Sequence, residues 1–217
     1  MNNTSIVLEK DATLTGLTYS FFKRFIDLLV SSIALIILAP LFLIIILIIK
    51  ITDGGDAIFT QNRIGLNGKE FKIYKFRTMI NNADKVLEEL MAKDEKIRKE
   101  YEINKKLKND PRITKIGKFL RKSSLDELPQ LFNVFLGDMS IVGNRPYLPK
   151  EKHDMNGYYV DIIKTKPGIT GLWQVSGRSN TTFKTRCKLE ADYSKKVSFK
   201  LDLKIFLKTF AVVFKGL

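Results

Sequence analysis

The sequence predicts an α+β fold in which a long apolar helix precedes a mostly helical domain with one small β-hairpin. Three patterns in its 217 residues lead to this prediction. No charged residue interrupts the run 28–49. Apolar residues alternate on both sides of Asn67-Gly68, a dipeptide typical of hairpin turns. Near the C-terminus, Leu203, Phe206 and Phe210 recur at helical spacing among lysines, which indicates a basic amphipathic helix that lies at a membrane interface or packs on the domain.

Composition limits the classes of protein that the chain can belong to. Hydrophobic residues make up 45% and charged residues 28%, so the chain is neither disordered nor purely a membrane bundle. A formal net charge of +14 implies anionic partners, which are nucleic acid, anionic lipid headgroups or phosphorylated substrates. A single Cys187 excludes an intrachain disulfide, and a single His153 excludes a His-rich zinc site.

The apolar run has three interpretations that the residues alone leave open. Its 22 residues would form a helix about 33 Å long, enough to cross the hydrocarbon core of a membrane. Pro40 lies in its middle and removes one backbone hydrogen bond. Basic residues flank both ends, with Lys23 and Arg24 before the run and Lys50 after it. A plain span places one basic flank on the non-cytoplasmic side, which the positive-inside rule disfavours. A helix that breaks at Pro40 and returns places both basic flanks on the cytoplasmic side. A buried helix of a soluble protein is a third interpretation.

The rest of the chain divides into short elements. We expect hairpin strands at 57–63 and 69–75, and a charge-rich helix over 84–108 that Pro111 ends. Further short helices are expected at 115–120 and 127–135, the second ended by Gly137. Residues 1–20 are expected to be flexible. No G-x-G-x-x-G or P-loop sequence is present, so a nucleotide site of either kind has no support.

The pair Asp126-Glu127 is the first candidate for chemistry. Ser124 and Glu127 have the spacing of a helix-capping box. Pro129 instead favours a helix that starts near Asp126, because proline is tolerated only in the first turn. The helix dipole would then favour the ionised form of Asp126. An ionised carboxylate can attack phosphorus or hold a divalent cation. Capping and catalysis therefore both remain open at this point.

Basic residues next to glycines and prolines form a second candidate set. Lys75 and Arg77 follow the hairpin, Arg145 lies in the loop Gly143-Asn144-Arg145-Pro146, and Arg178 follows Gly177. Planar guanidinium groups suit bidentate binding of phosphate. For each residue taken alone, a surface charge or a core-anchoring ion pair is the better interpretation.

Eight segments occur in an order that carries a family resemblance; they are 22–27, 60–65, 72–79, 110–114, 125–131, 137–143, 166–175 and 201–204. In this order they resemble the bacterial sugar transferases, specifically the monotopic phosphoglycosyl transferases that act as polyprenyl-phosphate hexose-1-phosphate transferases. The resemblance covers about residues 20–215. The number of linked segments makes it far more specific than any one motif.

The resemblance implies a two-step reaction. Asp126 would attack the β-phosphate of a UDP-sugar and expel UMP, and the phosphosugar-Asp126 intermediate would pass its phosphosugar to undecaprenyl phosphate. Glu127, together with Asp126, would bind Mg²⁺. Four basic residues would contact substrate phosphates: Arg121, Arg145, Lys75 and Arg77. This reaction would be the first membrane step in the assembly of an exopolysaccharide, a capsule or a glycoprotein glycan.

The resemblance also implies a location and an organisation. A re-entrant membrane helix over 21–51, broken at Pro40, would precede a catalytic domain over 52–217 with interfacial amphipathic helices, on the cytoplasmic face of the bacterial inner membrane. The partners would be the UDP-sugar, undecaprenyl phosphate and membrane lipids, without nucleic acid, and a homodimer is compatible. Two residues depart from the family pattern: Ala39 stands where a Ser precedes the Pro, and Asn144 stands where a Pro commonly precedes the Arg. The alternative is a membrane-tethered basic scaffold that binds anionic lipid or nucleic acid.

Overall fold

A computed structural model describes residues 3–104, 107–177 and 181–216. This part of the chain is mostly helical and contains two small two-stranded sheets, so the predicted α+β class is confirmed. The helices are α1 (Asn3–Asp53), α2 (Ala83–Lys93), α3 (Glu95–Asn104), α4 (Lys115–Lys122), α5 (Gln130–Leu136), α6 (Tyr159–Ile162), α7 (Leu172–Ser176), α8 (Phe183–Lys195) and α9 (Phe199–Gly216). The strands are β1 (Ile58–Ile64), β2 (Glu70–Phe76), β3 (Ser140–Val142) and β4 (Gly168–Thr170).

Helix α1 is long and apolar enough to cross a membrane. Its segment Thr18–Thr52 has a mean hydropathy of 3.3 over the most apolar window, of which only 17% is buried. Large apolar side chains such as Ile36 and Leu43 point away from the protein. Exposed apolar surface of this extent indicates membrane attachment. The helix continues through Pro40, so the break expected there is not confirmed.

The first half of α1 is fastened to the rest of the protein by polar contacts. The buried carboxylate of Asp27 accepts hydrogen bonds from Ser140 Oγ at 3.1 Å and from Ile141 N at 3.0 Å, both in β3. Arg24 donates to the carbonyl oxygens of Val134 at 2.6 Å and Phe135 at 2.8 Å. These carbonyls belong to the last turn of α5, where helix carbonyls lack intrahelical partners. Arg24 therefore caps α5 from outside.

The second half of α1 is fastened by apolar packing. Phe42, Ile45 and Ile49 are buried in a core cluster that also contains Phe76 of β2 and Leu131 of α5. The rings of Phe42 and Phe76 lie 5.5 Å apart in an edge-to-face arrangement, a favoured geometry for aromatic pairs. Both halves of α1 therefore rest on the same folded domain.

The predicted hairpin is confirmed, with a longer loop than a two-residue turn. Strands β1 and β2 are antiparallel, with Cα partners running from Ile58↔Phe76 to Ile64↔Glu70. The loop between them contains a short 3-10 turn, Leu66–Gly68. Asn67 and Gly68 have φ angles of 54° and 78°. These two residue types reach positive φ most readily, which is why Asn-Gly correctly marked the turn.

Two features differ from the expectations. The charge-rich segment 84–108 forms two helices, α2 and α3, because the backbone of Asp94 between them is extended, with φ at −135°. Its Oδ1 accepts a hydrogen bond from Lys96 N at 2.7 Å and so begins a new helix. The second sheet was not predicted. Its strands β3 and β4 are parallel and only three residues long, with Ser140 opposite Gly168 and Val142 opposite Thr170.

Candidate active site

The segment around Asp126 is a tight turn before α5. Ser124 has a left-handed φ of 59° and its side chain makes no capping hydrogen bond, so the capping box is not confirmed. Leu125–Glu127 is a 3-10 turn, and the α-helix begins only at Gln130, after Pro129. The predicted start of this helix at 127 is therefore wrong by three residues. The helix starts later because Asp126 and Glu127 lie in the preceding 3-10 turn and Pro129 is the N-cap residue of α5.

Asn133 holds α5 against the hairpin. Its side chain is fully buried and bonds two backbone groups of β2: Oδ1 accepts from Tyr74 N at 3.0 Å, and Nδ2 donates to Lys72 O at 2.7 Å. An amide that satisfies a backbone donor and a backbone acceptor fixes the relative position of two elements. This contact sets the next residue of the strand, Lys75, beside the turn that carries Glu127.

Lys75 and Glu127 form the central ion pair of the site, with Nζ and Oε1 2.7 Å apart. Burial acts to raise the pKa of Glu127, but the charges of Lys75, Arg145 and Arg63 outweigh it and hold that pKa below its ordinary value. The side chains of Lys75 and Glu127 are 23% and 39% exposed. A pair this exposed contributes little to folding. Its effect is to orient Glu127 and to keep it ionised.

Asp126 has the opposite electrostatic setting. Burial and the neighbouring charge of Glu127 raise its pKa to about 6, although Lys75 and Arg121 act to lower it. The expected lowering of this pKa by a helix dipole is not confirmed: Asp126 lies in a 3-10 turn before α5, and burial and Glu127 raise the pKa. At pH 7 about nine in ten molecules still carry the carboxylate. Asp126 is thus ionised near neutral pH but more basic than an ordinary aspartate.

Arg121 is anchored close to Asp126, whereas Arg77 is directed elsewhere. Arg121 Nε donates to Thr78 Oγ1 at 2.9 Å. Helix α4 approaches Thr78 so closely that a Cβ on Gly117 would lie 2.1 Å from the carbonyl oxygen of Thr78. The guanidinium of Arg77 donates to Asn81 Oδ1 at 2.9 Å and lies against Gly55. No hydrogen bond or ion pair joins Arg77 to Asp126 or Glu127 in the described part of the chain.

A small cleft open to solvent lies over Glu127; its other polar lining residues are Arg63, Lys75, Gln130, Arg145 and Gln174. Arg63 was not predicted. It lies in β1, donates from Nη1 to Pro146 O at 3.1 Å, and has its pKa lowered to about 10 by burial and by the charge of Arg145. Its only sequence signal was the segment 60–65 of the family resemblance. Three cations, Arg63, Lys75 and Arg145, therefore line the same cleft as Glu127.

The cationic surface continues beyond Arg145 to Trp173, in α7. The Cζ atom of Arg145 lies 5.6 Å from the centre of the Trp173 ring, and Cζ of Arg186, in α8, lies 4.2 Å from it. The Nε atoms of Arg63, Arg145 and Arg186 are all buried and have no hydrogen-bond partner among the residues that the structure describes. Buried donors without partners are rare in folded proteins. This set of donors fits an anionic ligand with several oxygens, such as a diphosphate.

The loop that carries Arg145 is held by Asn144, the residue that stands in place of the family's proline. Asn144 is buried, and its Nδ2 lies within hydrogen-bond distance of Ile162 O at 3.1 Å, Thr165 Oγ1 at 2.9 Å and Ser194 Oγ at 2.6 Å. Its carbonyl oxygen accepts from Gly168 N at 2.7 Å. Side-chain hydrogen bonds thus restrain this loop where a proline ring would otherwise restrict φ.

The residues present fit a metal ion shared with a substrate. The described ranges contain no cluster of three or more His, Cys, Asp or Glu side chains that could hold a metal ion alone. Mg²⁺, however, is commonly bound by one or two carboxylates with substrate phosphates and waters. Asp126 and Glu127 supply such a pair beside the cationic cleft.

Arg178, which the sequence offered as a further phosphate-binding residue, lies outside the described residues.

Comparison with known proteins gives consistent matches. The model of the family described as "Bacterial sugar transferase" matches residues 18–216. An uncharacterized sugar transferase of Haemophilus influenzae is 47% identical and covers 96% of this chain. The exopolysaccharide production protein ExoY of Rhizobium meliloti is 44% identical over 88% of the chain. The undecaprenyl-phosphate galactose phosphotransferase of Salmonella typhimurium is 49% identical over 90% of the chain.

These relatives differ in length. The chain spans 44% of the Haemophilus protein and 41% of the Salmonella protein, but 84% of ExoY. The matched region contains the turn with Asp126 and Glu127, the hairpin with Lys75, and the loop with Arg145. Because the family model covers nearly all of the sequence and the relatives are nearly half identical, the chain belongs to the bacterial sugar transferase family.

Proposed function

We propose that the protein transfers a sugar-1-phosphate from a UDP-sugar to undecaprenyl phosphate and releases UMP. The observation that carries this proposal is a basic carboxylate, Asp126, beside a cleft lined by three cations, two of which, Arg63 and Arg145, have a buried Nε without a partner among the described residues. The name of the Salmonella relative supports the lipid acceptor, and that of ExoY supports a role in exopolysaccharide production. Such a transfer would be the first membrane step of glycan assembly.

In the first step, a carboxylate oxygen of Asp126 attacks the β-phosphorus of the UDP-sugar. The bond from that phosphorus to the bridging oxygen breaks, and UMP leaves with the electron pair. The product is a phosphosugar linked to Asp126. A carboxylate whose pKa is about 6 is ionised at pH 7, so no separate base is needed for this attack.

In the second step, a phosphate oxygen of undecaprenyl phosphate attacks the same phosphorus. The bond to Asp126 breaks, the carboxylate is restored, and undecaprenyl-diphosphate-sugar is formed. Attack and departure occur at one phosphorus in both steps, so the same cations serve both. Lys75, Arg121 and Arg145 stabilise the charge that accumulates on the phosphate oxygens. Arg77 stays a weaker candidate, because its guanidinium is directed toward Asn81.

We include Mg²⁺ in this proposal as an ion that binds together with the donor. Asp126 and Glu127 would hold it, and when bound it would neutralise the diphosphate and polarise its P–O bonds. Lys75 keeps Glu127 ionised through the 2.7 Å ion pair, so that carboxylate is available to a cation at neutral pH.

We further propose that α1 is re-entrant, with both ends on the cytoplasmic side of the bacterial inner membrane. Asp27 and Ile49 both contact the catalytic domain, over 52–217, but a straight helix would separate them by about 33 Å, the thickness of the hydrocarbon core. A domain on one side of the membrane cannot bind both ends of a spanning helix. Lys23, Arg24 and Lys50 then share the cytoplasmic face. Helix α9, with Leu203 and Leu207 exposed, would lie in the headgroup plane.

The decisive experiment is UMP release from a panel of UDP-sugars by the purified protein with undecaprenyl phosphate and Mg²⁺. We expect release with at least one sugar, a loss of at least about 10³-fold in Asp126→Asn, and no loss in the exposed control Asp56→Asn. Release at the wild-type rate by a folded Asp126→Asn variant excludes Asp126 as the nucleophile. If no sugar supports release and the protein binds DNA with an affinity that falls steeply with salt, the proposed enzyme function is wrong. The net charge of +14 then serves a basic scaffold that binds nucleic acid.

A further inference from the structure

A buried carboxyl group that takes no part in the proposed reaction lies directly behind the Arg145 loop. Glu190, in α8, is 1% exposed. Its Oε2 accepts a hydrogen bond from the backbone N–H of Arg145 at 2.6 Å, and its Oε1 is buried without a hydrogen-bond partner in the described ranges. Burying a carboxyl group is unfavourable unless its contacts compensate. The one hydrogen bond that the structure gives to this carboxyl group is made to Arg145.

The backbone around Arg145 is fixed from several directions, and Glu190 supplies one of them. Gly143 N donates to Thr170 O at 2.9 Å, and Pro146 O accepts from Arg63 at 3.1 Å. The N–H of Arg145 itself is satisfied by Glu190. Without this acceptor, a buried backbone donor would lack a partner and the loop would shift to find one.

The side chain of Arg145 is directed the other way, toward the cleft and Trp173. Helix α8 also supplies Arg186, one turn before Glu190, and Arg186 lies over the ring of Trp173. One helix face therefore holds the Arg145 backbone from behind and supplies a second guanidinium beside its side chain. A shift of the Arg145 backbone would move one guanidinium relative to the other.

We propose that Glu190 is a positioning residue: its carboxyl oxygen fixes the backbone of Arg145 so that the guanidinium faces the diphosphate of the donor. This inference rests on the proposed function, because it takes Arg145 as a ligand of the donor phosphates. Glu190 contacts neither the donor nor the reacting atoms. The one hydrogen bond of its carboxyl group within the described residues is to the Arg145 backbone, so its positioning effect requires Arg145, which makes that effect separable from a general effect on stability.

The test is calorimetric titration of the purified full-length protein with UDP and Mg²⁺. Glu190→Met keeps the length of the side chain but removes the acceptor, and we expect UDP affinity to fall on the order of tenfold. Glu190→Gln keeps an acceptor oxygen, and we expect affinity within about threefold of the wild type. The matched control is Tyr193→Phe, which loosens the same helix at its contacts with Val142 and Asp202, and should leave UDP affinity unchanged.

A double-mutant cycle separates positioning from mere structural support. In an Arg145→Ala background, Glu190→Met should have no further effect on UDP affinity, because the residue through which it acts is gone. An equal loss in both backgrounds overturns the proposal, as does a loss in Glu190→Gln as large as that in Glu190→Met. If Glu190→Met does not fold, Glu190→Asp replaces it, since its shorter side chain withdraws the acceptor; wild-type affinity in that variant also overturns the proposal.

The two proposals fail in different ways. If the wild type binds UDP and releases UMP while every Glu190 variant binds UDP normally, only the positioning role is wrong. If the wild type does not bind UDP at all, the proposed function is wrong and the positioning role falls with it.

Discussion

The reactivity proposed for Asp126 depends on its pKa, which burial and Glu127 raise and which Lys75 and Arg121 act to lower. Because the folded-state pKa is raised from 3.8 to about 6, the carboxylate is lost as the pH falls through about 6. We therefore expect the single-turnover rate of UMP release, measured without acceptor, to fall about tenfold per pH unit below this value. Omitting undecaprenyl phosphate removes the ionisation of its phosphate from the profile. A rate that stays flat down to pH 5 would contradict the assignment.

The same shift predicts how stability depends on pH. An aspartate whose pKa is higher in the folded than in the unfolded state destabilises the fold once it is ionised in both, above about pH 6. At pH 8, Asp126→Asn should therefore unfold at a temperature no lower than the wild type. Near pH 4 the difference should disappear. Thermal unfolding at the two pH values measures this, and a variant that is less stable at pH 8 would show that the Asp126 carboxylate supports the fold.

Lys75 acts on both carboxylates, which gives a prediction for its removal. In Lys75→Gln the pKa of Asp126 should rise further and Glu127 should lose its ion-pair partner. The rate relative to the wild type should then be several-fold lower at pH 6 than at pH 8, because more of Asp126 is protonated. Lys69→Gln, an exposed lysine beside the same strand, serves as the control for net charge. An equal loss at both pH values would mean that Lys75 contacts substrate without affecting Asp126.

Residues of the candidate site differ in how far sequence could identify them. Lys75, Glu127 and Arg145 belong to recognisable segments, and the structure brings them to one cleft. Arg186 and Glu190 could not be assigned from sequence, because their roles depend on α8 packing behind the Arg145 loop. Charged residues on a helix usually indicate a solvated face. Only the tertiary contacts show that Glu190 is buried.

At the scale of elements, local signals were reliable where one short motif decides the backbone. Asn67-Gly68 correctly marked the hairpin turn, and Gly137, with φ at 96°, ends α5 as predicted. The break at Asp94 was missed because continuous helix and a second N-cap are both compatible with the same charge pattern. Strands β3 and β4 were missed because three residues carry too little periodicity. Their pairing depends on contacts far apart in the chain.

The junction between α5 and the hairpin depends on Asn133. Replacing it with Ala leaves Tyr74 N and Lys72 O without their partner, at a partly buried position. We expect the free energy of unfolding to fall by about 3 kcal/mol, with a matching loss of activity as Lys75 moves away from Glu127. The control is Asn62→Ala in β1, an exposed residue with one long hydrogen bond to Glu70. Denaturant titration of the two variants decides the matter: equal stabilities would mean that Asn133 does not fasten α5.

At the scale of the whole molecule, the fold joins an apolar anchor to a polar cleft. Helix α1 exposes its apolar surface along most of its length, yet Asp27 and Ile49 are both buried against the domain that carries Asp126. A lipid phosphate lies in the headgroup plane, whereas a UDP-sugar is soluble. An enzyme attached at the interface by both halves of one helix can meet both substrates at one cleft. This arrangement requires the two ends of α1 to lie on the same side.

The position of the two helix ends can be measured by cysteine labelling. Cys187 is buried and is the chain's one cysteine, so Cys187→Ala provides the background. Ser20→Cys and Asp56→Cys place exposed thiols before and after the apolar run, and Lys115→Cys marks the catalytic domain. With a membrane-impermeant maleimide, all three should react in inverted membrane vesicles and none in intact spheroplasts. A re-entrant helix requires that the maleimide label Ser20→Cys in every preparation in which it labels Lys115→Cys, and in no other. Labelling of Ser20→Cys from the outer face, with Asp56→Cys labelled from the inner face, would establish a plain span, and the contacts of Arg24 and Asp27 with the domain could then not form in the membrane.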